Sequence, residues 1–336
     1  MTIPSTTPPR LTEPADLITA VPVLLGFRPR ESLVLVTMHR QPSGRHRFGL
    51  TLRVDLPAPR HVTAVAAQTA DALLVDAAVE AAVIVFGSGP DGRPPGRPKA
   101  RSRKRRQSGP LRRDVANAAV GALRARGISA HSVMWAQRCA AGAPWACYDG
   151  CCSGTLADPG STPMAAHAVA EGAVVYGDRT ELEALVAPVA PAVLRRRARL
   201  LATAVLDVGT ARQRFDDALA AAARCELRID DDTVVALAAA LEVPEVRDQA
   251  ILLSAAEDPA AEQLWGALAR ETPDPQAAVP AALLALAALA SGRGALADVA
   301  LRRAELAWPG HHLTGLVRTA SASLVRPEQI RAWFAS

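Results

Sequence analysis

The chain is poor in lysine, aromatic residues and cysteine, and it has no apolar run long enough to cross a bilayer. Only Lys99 and Lys104 are lysine, so 36 of the 38 basic residues are arginine. Arginine and alanine share GC-rich codons, so this skew reads as genomic bias and carries little functional weight. Aromatics make up 4% of the residues, which requires aliphatic cores and helices that approach through small side chains. The longest apolar run, Ala277–Ala290, has 14 residues and includes Pro280. A membrane-spanning helix needs about 20, so the run reads as a buried helix. Met1–Arg10 is polar and proline-rich, without the apolar core of a secretory signal. The expectation is a cytoplasmic protein without membrane contact, where thiols stay reduced.

Hydrolase signatures are also missing. Neither Gly-x-Ser-x-Gly nor His-Glu-x-x-His occurs. Ser32 sits at a loop-to-strand junction where a nucleophile can lie, but no base accompanies it in sequence.

What is present is organisation. At 336 residues the chain exceeds one hydrophobic core, and two domains are expected. Leu11–Leu25 reads as a helix with Thr12 as N-cap, Pro14 in its first turn and Gly26 as its stop. Ser32–Met38 reads as a buried strand, and Phe48–Leu56 as a second strand that can pair with it. Helix His61–Glu80, strand Ala82–Phe86, helix Leu111–Arg126 and strand Ile128–Gln137 follow, then helices Met164–Glu171 and Asp178–Val186. Strands separated by crossover helices imply a mainly parallel or mixed sheet with helices on its faces. From Pro191 the strand signals stop, and 191–226, 232–242, 244–256, 258–271, 277–290, 294–307 and 311–324 all read as helices. The expected division is an α/β domain over 11–190 and an all-α helical-hairpin domain over 191–336.

Charge is concentrated. Residues 92–113 carry ten basic side chains and no acid, so the net charge of +5 leaves −5 for the rest of the chain. The segment 88–113 is expected to be a disordered, solvated insertion. A weak, salt-sensitive nucleic-acid contact through 93–113 is the competing use, although no aromatic residue is there to stack on bases. Gly87-Ser-Gly-Pro-Asp-Gly92 spells a dinucleotide fingerprint, but the prolines that follow leave no helix to start against a pyrophosphate. Asp230-Asp-Asp232 lacks the spacing of a calcium loop and is expected to cap the helix beginning near Thr233.

The densest chemistry lies in cysteine. Four of the five cysteines, Cys139, Cys147, Cys151 and Cys152, fall within 14 positions. Three readings are open: thiols packed as small apolar groups, a structural zinc site with His131 or His167 in reserve, or a redox pair. The spacing is not that of a standard zinc knuckle, and a reducing compartment disfavours the disulfide.

Leu11-Thr-Glu-Pro-Ala-Asp-Leu17 with Val21-Pro-Val-Leu-Leu-Gly-Phe-Arg-Pro-Arg-Glu-Ser-Leu-Val-Leu-Val36, then Trp145–Gly154, then Val246-Arg-Asp248 ahead of an alanine-rich tail, form a pattern. It resembles the actinobacterial domain-of-unknown-function family four-one-nine-two. Ser153 departs from it, since proline is expected after the paired cysteines. The resemblance implies no reaction. Ala297, Leu301, Ala304 and Pro309, at spacings of 4, 3 and 5, also look like the second helix of a tetratricopeptide repeat. A generic alanine-rich hairpin fits them equally well.

The expected function is therefore a protein-interaction or regulatory module that binds a protein partner through its helical domain. The alternative is an enzyme or small-molecule sensor with its site at the carboxyl edge of the N-terminal sheet, near the cysteine loop.

Overall fold

The computed structural model describes residues 13–41, 46–87, 110–170, 172–204 and 207–334. Most of the basic segment assigned to an insertion, and to nucleic-acid contact, lies outside the described residues. Its last four residues, 110–113, lie inside them and belong to the α/β unit. The chain divides into two compact units, Met1–Arg179 and Thr180–Ser336, where the composition shift had set the division at 190/191.

The first unit contains α1 (Pro14–Leu25), β1 (Ser32–Arg40), β2 (His46–Asp55), α2 (Val62–Leu73), β3 (Glu80–Phe86), α3 (Arg113–Arg124), β4 (Ser129–Ala136), β5 (Pro144–Cys147), β6 (Ser153–Thr155) and α4 (Pro163–Ala170). Gly26 ends α1 at φ +79°, a left-handed conformation that costs glycine nothing. The six strands form one sheet in the order β2-β1-β3-β4-β5-β6.

The sheet is mixed, one of the two arrangements that the alternating strands and helices imply. β1 pairs antiparallel with both β2 and β3, and the parallel pair is β3 with β4. The cause is the hairpin. β2 runs back against β1, and the α2 crossover then brings β3 in along the direction of β2. Among the described strands, the crossover through α3 is the one that joins adjacent strands in parallel.

β1 and β3 are buried on both faces, which is why they read as continuous apolar runs. Val34, Val36, Ile84 and Phe86 pack with Leu17, Ile18 and Val21 of α1. Leu33, Leu35, Val83 and Val85 pack on the other face with Val62, Ala70 and Leu73 of α2 and Val115, Ala119 and Leu123 of α3. Ser32 is fully buried. Its hydroxyl donates to the Arg30 carbonyl at 2.6 Å and accepts from Arg53 Nε at 2.7 Å, so it serves the strand entry and is not available as a nucleophile.

Two bulges shape one edge of the sheet. Opposite the single residue Thr37, β2 carries both Gly49 and Leu50. Opposite the Ala81–Ala82 step, β4 carries the extra residue His131. At the first bulge Asp76, from the 3-10 turn Leu74–Asp76 that ends α2, turns its Oδ2 toward β1 and β2. That oxygen meets Leu50 N at 3.1 Å, His39 Nε2 at 2.8 Å and the Thr37 hydroxyl. Burial alone would raise the Asp76 pKa, but the hydrogen bonds from Thr37, His39 and Leu50 outweigh it and hold the carboxylate below its usual range. The turn at Leu74–Asp76 and the start of β3 at Glu80 also explain why the predicted helix His61–Glu80 stops short.

Residues 88–109 join two anchored points. The Gly87 carbonyl accepts the Trp135 indole N–H at 3.1 Å, and the Leu111 carbonyl accepts the Tyr148 hydroxyl.

The second unit contains α6 (Pro191–Leu201), α7 (Val208–Ala223), α8 (Asp231–Ala240), α9 (Pro244–Ala255), α10 (Pro259–Glu271), α11 (Ala278–Ala290), α12 (Gly294–Ala307), α13 (His312–Ala322) and α14 (Pro327–Trp333). α5 (Arg179–Ala184) falls at the division between the units. Proline opens α6, α9, α10 and α14, where its missing N–H costs nothing. The predicted helix 191–226 is two helices, with Asp207 capping the second through Thr210 N at 3.0 Å.

α11 is the apolar run itself. It is buried all round and packs against α9, α10, α12, α13 and α14. Ala297, Leu301 and Ala304 of α12 are fully buried in the α11–α12 hairpin. Two buried arginines close the far end of α10. Arg197 donates to Asp231 Oδ1 and to the Glu271 carbonyl, both at 2.9 Å. Arg303 donates to the Ala269 carbonyl at 3.1 Å and to Asp274 Oδ1 at 2.7 Å. They satisfy carbonyls that the last turn of a helix leaves unpaired. Asp230 caps α8 through Thr233 N at 2.9 Å, as the sequence predicts, and Asp231 is the arginine partner.

Two substitutions test this account. A Cβ on Gly49 would lie 2.2 Å from Asp76 Oδ2 and 2.5 Å from Thr37 Oγ1, so Gly49→Ala should destabilise the protein by about 2 kcal/mol through overpacking. Arg197→Met should cost about 3 kcal/mol by stranding buried acceptors, whereas Arg224→Ala, which breaks the exposed pair with Glu226, should cost under about 1 kcal/mol. Urea denaturation of the three variants measures both claims; equal losses for the two arginines would refute the second.

Candidate metal centre

β5 and β6 form a short hairpin that the sequence reading missed. Strands of four and three residues are too brief for periodicity to register. Trp145 faces Gly154 and Ala146 faces Ser153 across it, and Cys147 N donates to the Cys152 carbonyl at 2.9 Å. The connection Tyr148–Cys151 turns through Gly150 at φ +79°, whose N–H donates to the Cys147 carbonyl at 3.2 Å. Asp149 Oδ1 accepts Cys151 N at 3.0 Å and holds the returning limb. The hairpin thus carries the paired cysteines back over Cys147.

The result is a three-thiol cluster. Cys147 Sγ lies 3.0 Å from Cys152 Sγ, which lies 3.1 Å from Cys151 Sγ. Cys147 is buried, Cys152 half-buried and Cys151 exposed, and all three are free thiols. The fourth predicted ligand is elsewhere. Cys139 follows β4, is buried among residues that include Ile18, and donates its thiol to the Ile18 carbonyl at 3.3 Å. His131, held in reserve as a ligand, groups with His46 and Glu80 instead of with the thiols. His167 lies on α4. The four-cysteine set therefore resolves into three thiols that converge, of which Cys147 also belongs to the apolar core with Cys152 packed against it, and Cys139, which lies in that core apart from the other two.

The cluster also lies away from the carboxyl edge of the parallel strands. Cys147 pairs with Met134 and Tyr148 N donates to the Val133 carbonyl, beside the middle of β4, whereas the carboxyl ends of β3 and β4 lead into Gly87 and toward Cys139.

Burial and neighbouring groups favour the protonated thiol at Cys139, Cys147 and Cys151. Burial, and then the neighbouring Cys152 and Cys151 thiols, push the Cys147 pKa well up. Cys151 is raised chiefly by its contact with Cys152, and further by Asp149. Burial pushes Cys139 up to about 12. Separations of 3.0 and 3.1 Å exceed the ~2.05 Å of a disulfide. Four-coordinate zinc at ~2.3 Å from each sulfur sets neighbouring sulfurs about 3.8 Å apart, so the three thiols admit the ion by opening less than ~1 Å. Soft thiolates suit zinc, and the exposed side at Cys151 leaves room for a fourth ligand.

The His46–Glu80–His131 group escaped the sequence reading because its members stand on three strands, tens of residues apart. No spacing rule links them; only the strand order does.

Cys139 gives a pH signature. Its folded pKa is raised from an ordinary value of 9.0 to about 12. The stability it contributes is therefore complete below pH 9 and is lost as pH rises toward 12, because the unfolded thiol ionises first. In chelator-treated protein, Cys139→Ala should show a shallower alkaline loss of melting temperature than the unsubstituted chain, although it is less stable at neutral pH. Parallel alkaline limbs would show that the thiol makes no such contribution.

Comparison with known proteins adds one finding. A family model described as a domain of unknown function (DUF4192) matches residues 14–328. No match is found among curated proteins or among solved structures. The match covers both units, and the chain belongs to the DUF4192 family.

Proposed function

We propose that this protein is a zinc-dependent regulatory or interaction module, with the ion held by Cys147, Cys151 and Cys152 at the tip of the β5–β6 hairpin. The convergence of three sulfurs from a hairpin that folds back on itself carries the reading. Three thiolates outweigh the charge of a divalent ion, which weakens it as a Lewis acid toward water and favours a structural or ligand-exchanging role over hydrolysis. The protein partner is proposed to dock on the helical unit, where Leu306, Leu316 and Trp333 keep large apolar side chains exposed.

Binding must displace thiol protons. Since the Cys147 and Cys151 pKa values are raised, apparent zinc affinity should fall as pH is lowered through the neutral range. Native protein purified without chelator should contain about one thiolate-bound zinc per chain. Cys147→Ser should lose it and speed thiol alkylation at Cys151 and Cys152. Metal-free native protein whose three thiols stay unreactive would overturn the reading and leave the cysteines as packing groups. A Cys147–Cys152 disulfide in the native protein would assign the site to redox chemistry.

A further inference from the structure

The strongest arrangement outside the thiol cluster is a set of imidazole and carboxylate donors on the bulged edge of the sheet. His46 is the first residue of β2, Glu80 the first of β3, and His131 the inserted residue of the β4 bulge. We propose that His46, Glu80 and His131 form a second, thiol-independent site for a divalent first-row transition cation, with further coordination positions open to solvent.

Geometry carries the proposal. Glu80 Oε2 lies 2.8 Å from His46 Nε2 and 3.6 Å from His131 Nδ1. The three ligand atoms all fall within 4.8 Å of one another. Metal–ligand bonds of about 2.0–2.2 Å set neighbouring donors roughly 3.3 Å apart in a tetrahedral site. The Glu80 oxygen needs shifts of only about 0.5 and 0.3 Å from the two imidazole nitrogens to meet that spacing. The two imidazoles lie with ring centroids 4.8 Å apart and planes inclined by 57°, and one nitrogen of each approaches the same carboxylate oxygen. An imidazole meets a carboxylate oxygen either by donating an N–H or by sharing a cation with it, and a cation uses both nitrogen lone pairs at once.

The fold supplies the placement. Regular pairing matches each β3 residue with one β4 residue. His131 stands outside that match, and bulges serve to re-aim such a side chain. The side chains of His46, Glu80 and His131 are 26%, 24% and 44% exposed. The ligands are thus held by strands, yet one side stays open for entry and for water. Two nitrogens and one oxygen form a harder set than three sulfurs, so the two sites differ in metal preference. Two histidines with one carboxylate and open positions is a pattern that zinc and iron(II) both accept.

The test uses the full chain with the double substitution Cys147→Ser and Cys152→Ser, titrated with cobalt(II). The expected result is one bound cobalt with weak visible ligand-field bands and no sulfur charge-transfer band. His131→Ala or His46→Ala in that background should weaken binding at least about tenfold. Absence of cobalt binding in a chain whose circular dichroism is native, or binding unchanged by both histidine substitutions, overturns the proposal. If the double-cysteine variant does not fold, the unsubstituted chain loaded with two equivalents of zinc is read by X-ray absorption. A nitrogen/oxygen shell that diminishes in His131→Ala supports the site, and a sulfur-only shell, or one unaltered by His131→Ala, overturns it. Because this readout is separate from sulfur ligation, failure here leaves the thiol site standing, and the converse also holds.

Discussion

Burial of β1 and β3 on both faces is the constraint on which the α/β unit rests. Leu33 to Val36 and Ala81 to Phe86 are fully buried. Each valine, leucine, isoleucine and phenylalanine among them contributes about 1.5–3 kcal/mol when removed from water, and none tolerates an unpaired polar neighbour. Polar chemistry is therefore pushed to strand ends and additions. Asp76 with His39, and Glu80 with His46, stand where β1 leaves the core and β3 enters it. The three thiols ride on a ribbon added beyond β4. Polar side chains able to bind a ligand gather where the apolar requirement lapses.

The helical unit meets a related constraint differently. α11 presents apolar surface in every direction, so its neighbours must surround it, and alanine lets them approach closely. Enclosure leaves the last turn of α10 with carbonyls that water cannot reach easily. Arg197 and Arg303 supply donors on long apolar stems. The arginine bias that composition attributes to codon usage thus has two positions where shape and charge are both used. Arginine's planar fork serves a carbonyl and a carboxylate at once, which a lysine ammonium does less well.

The sequence carried the framework because periodicity and punctuation are local. Gly26, Pro191, Pro244, Pro259 and the Asp230 cap mark element ends through their own backbone chemistry, and the continuous runs at 32–38 and 82–86 announce buried strands. Strand direction was not local. Whether β3 lies parallel to β1 depends on how a hairpin and a crossover combine, and no window of residues contains both. The thiol cluster was half legible: four cysteines in 14 positions mark a site, but nothing in their spacing separates Cys139, which packs under α1, from the three carried by the hairpin. The histidine–glutamate group was not legible at all, since His46, Glu80 and His131 become neighbours only once the sheet is assembled.

The two anchors at Gly87 and Leu111 bear on how such a chain can change. Trp135 and Tyr148 hold both from within the first unit, so the parallel crossover is fixed at its ends independently of what lies between. Closing a longer connection costs only about 0.6 kcal/mol for each doubling of its length. A crossover pinned by aromatic side chains on both sides is a socket, into which evolution or an engineer can set peptides of very different length while the strands keep their register.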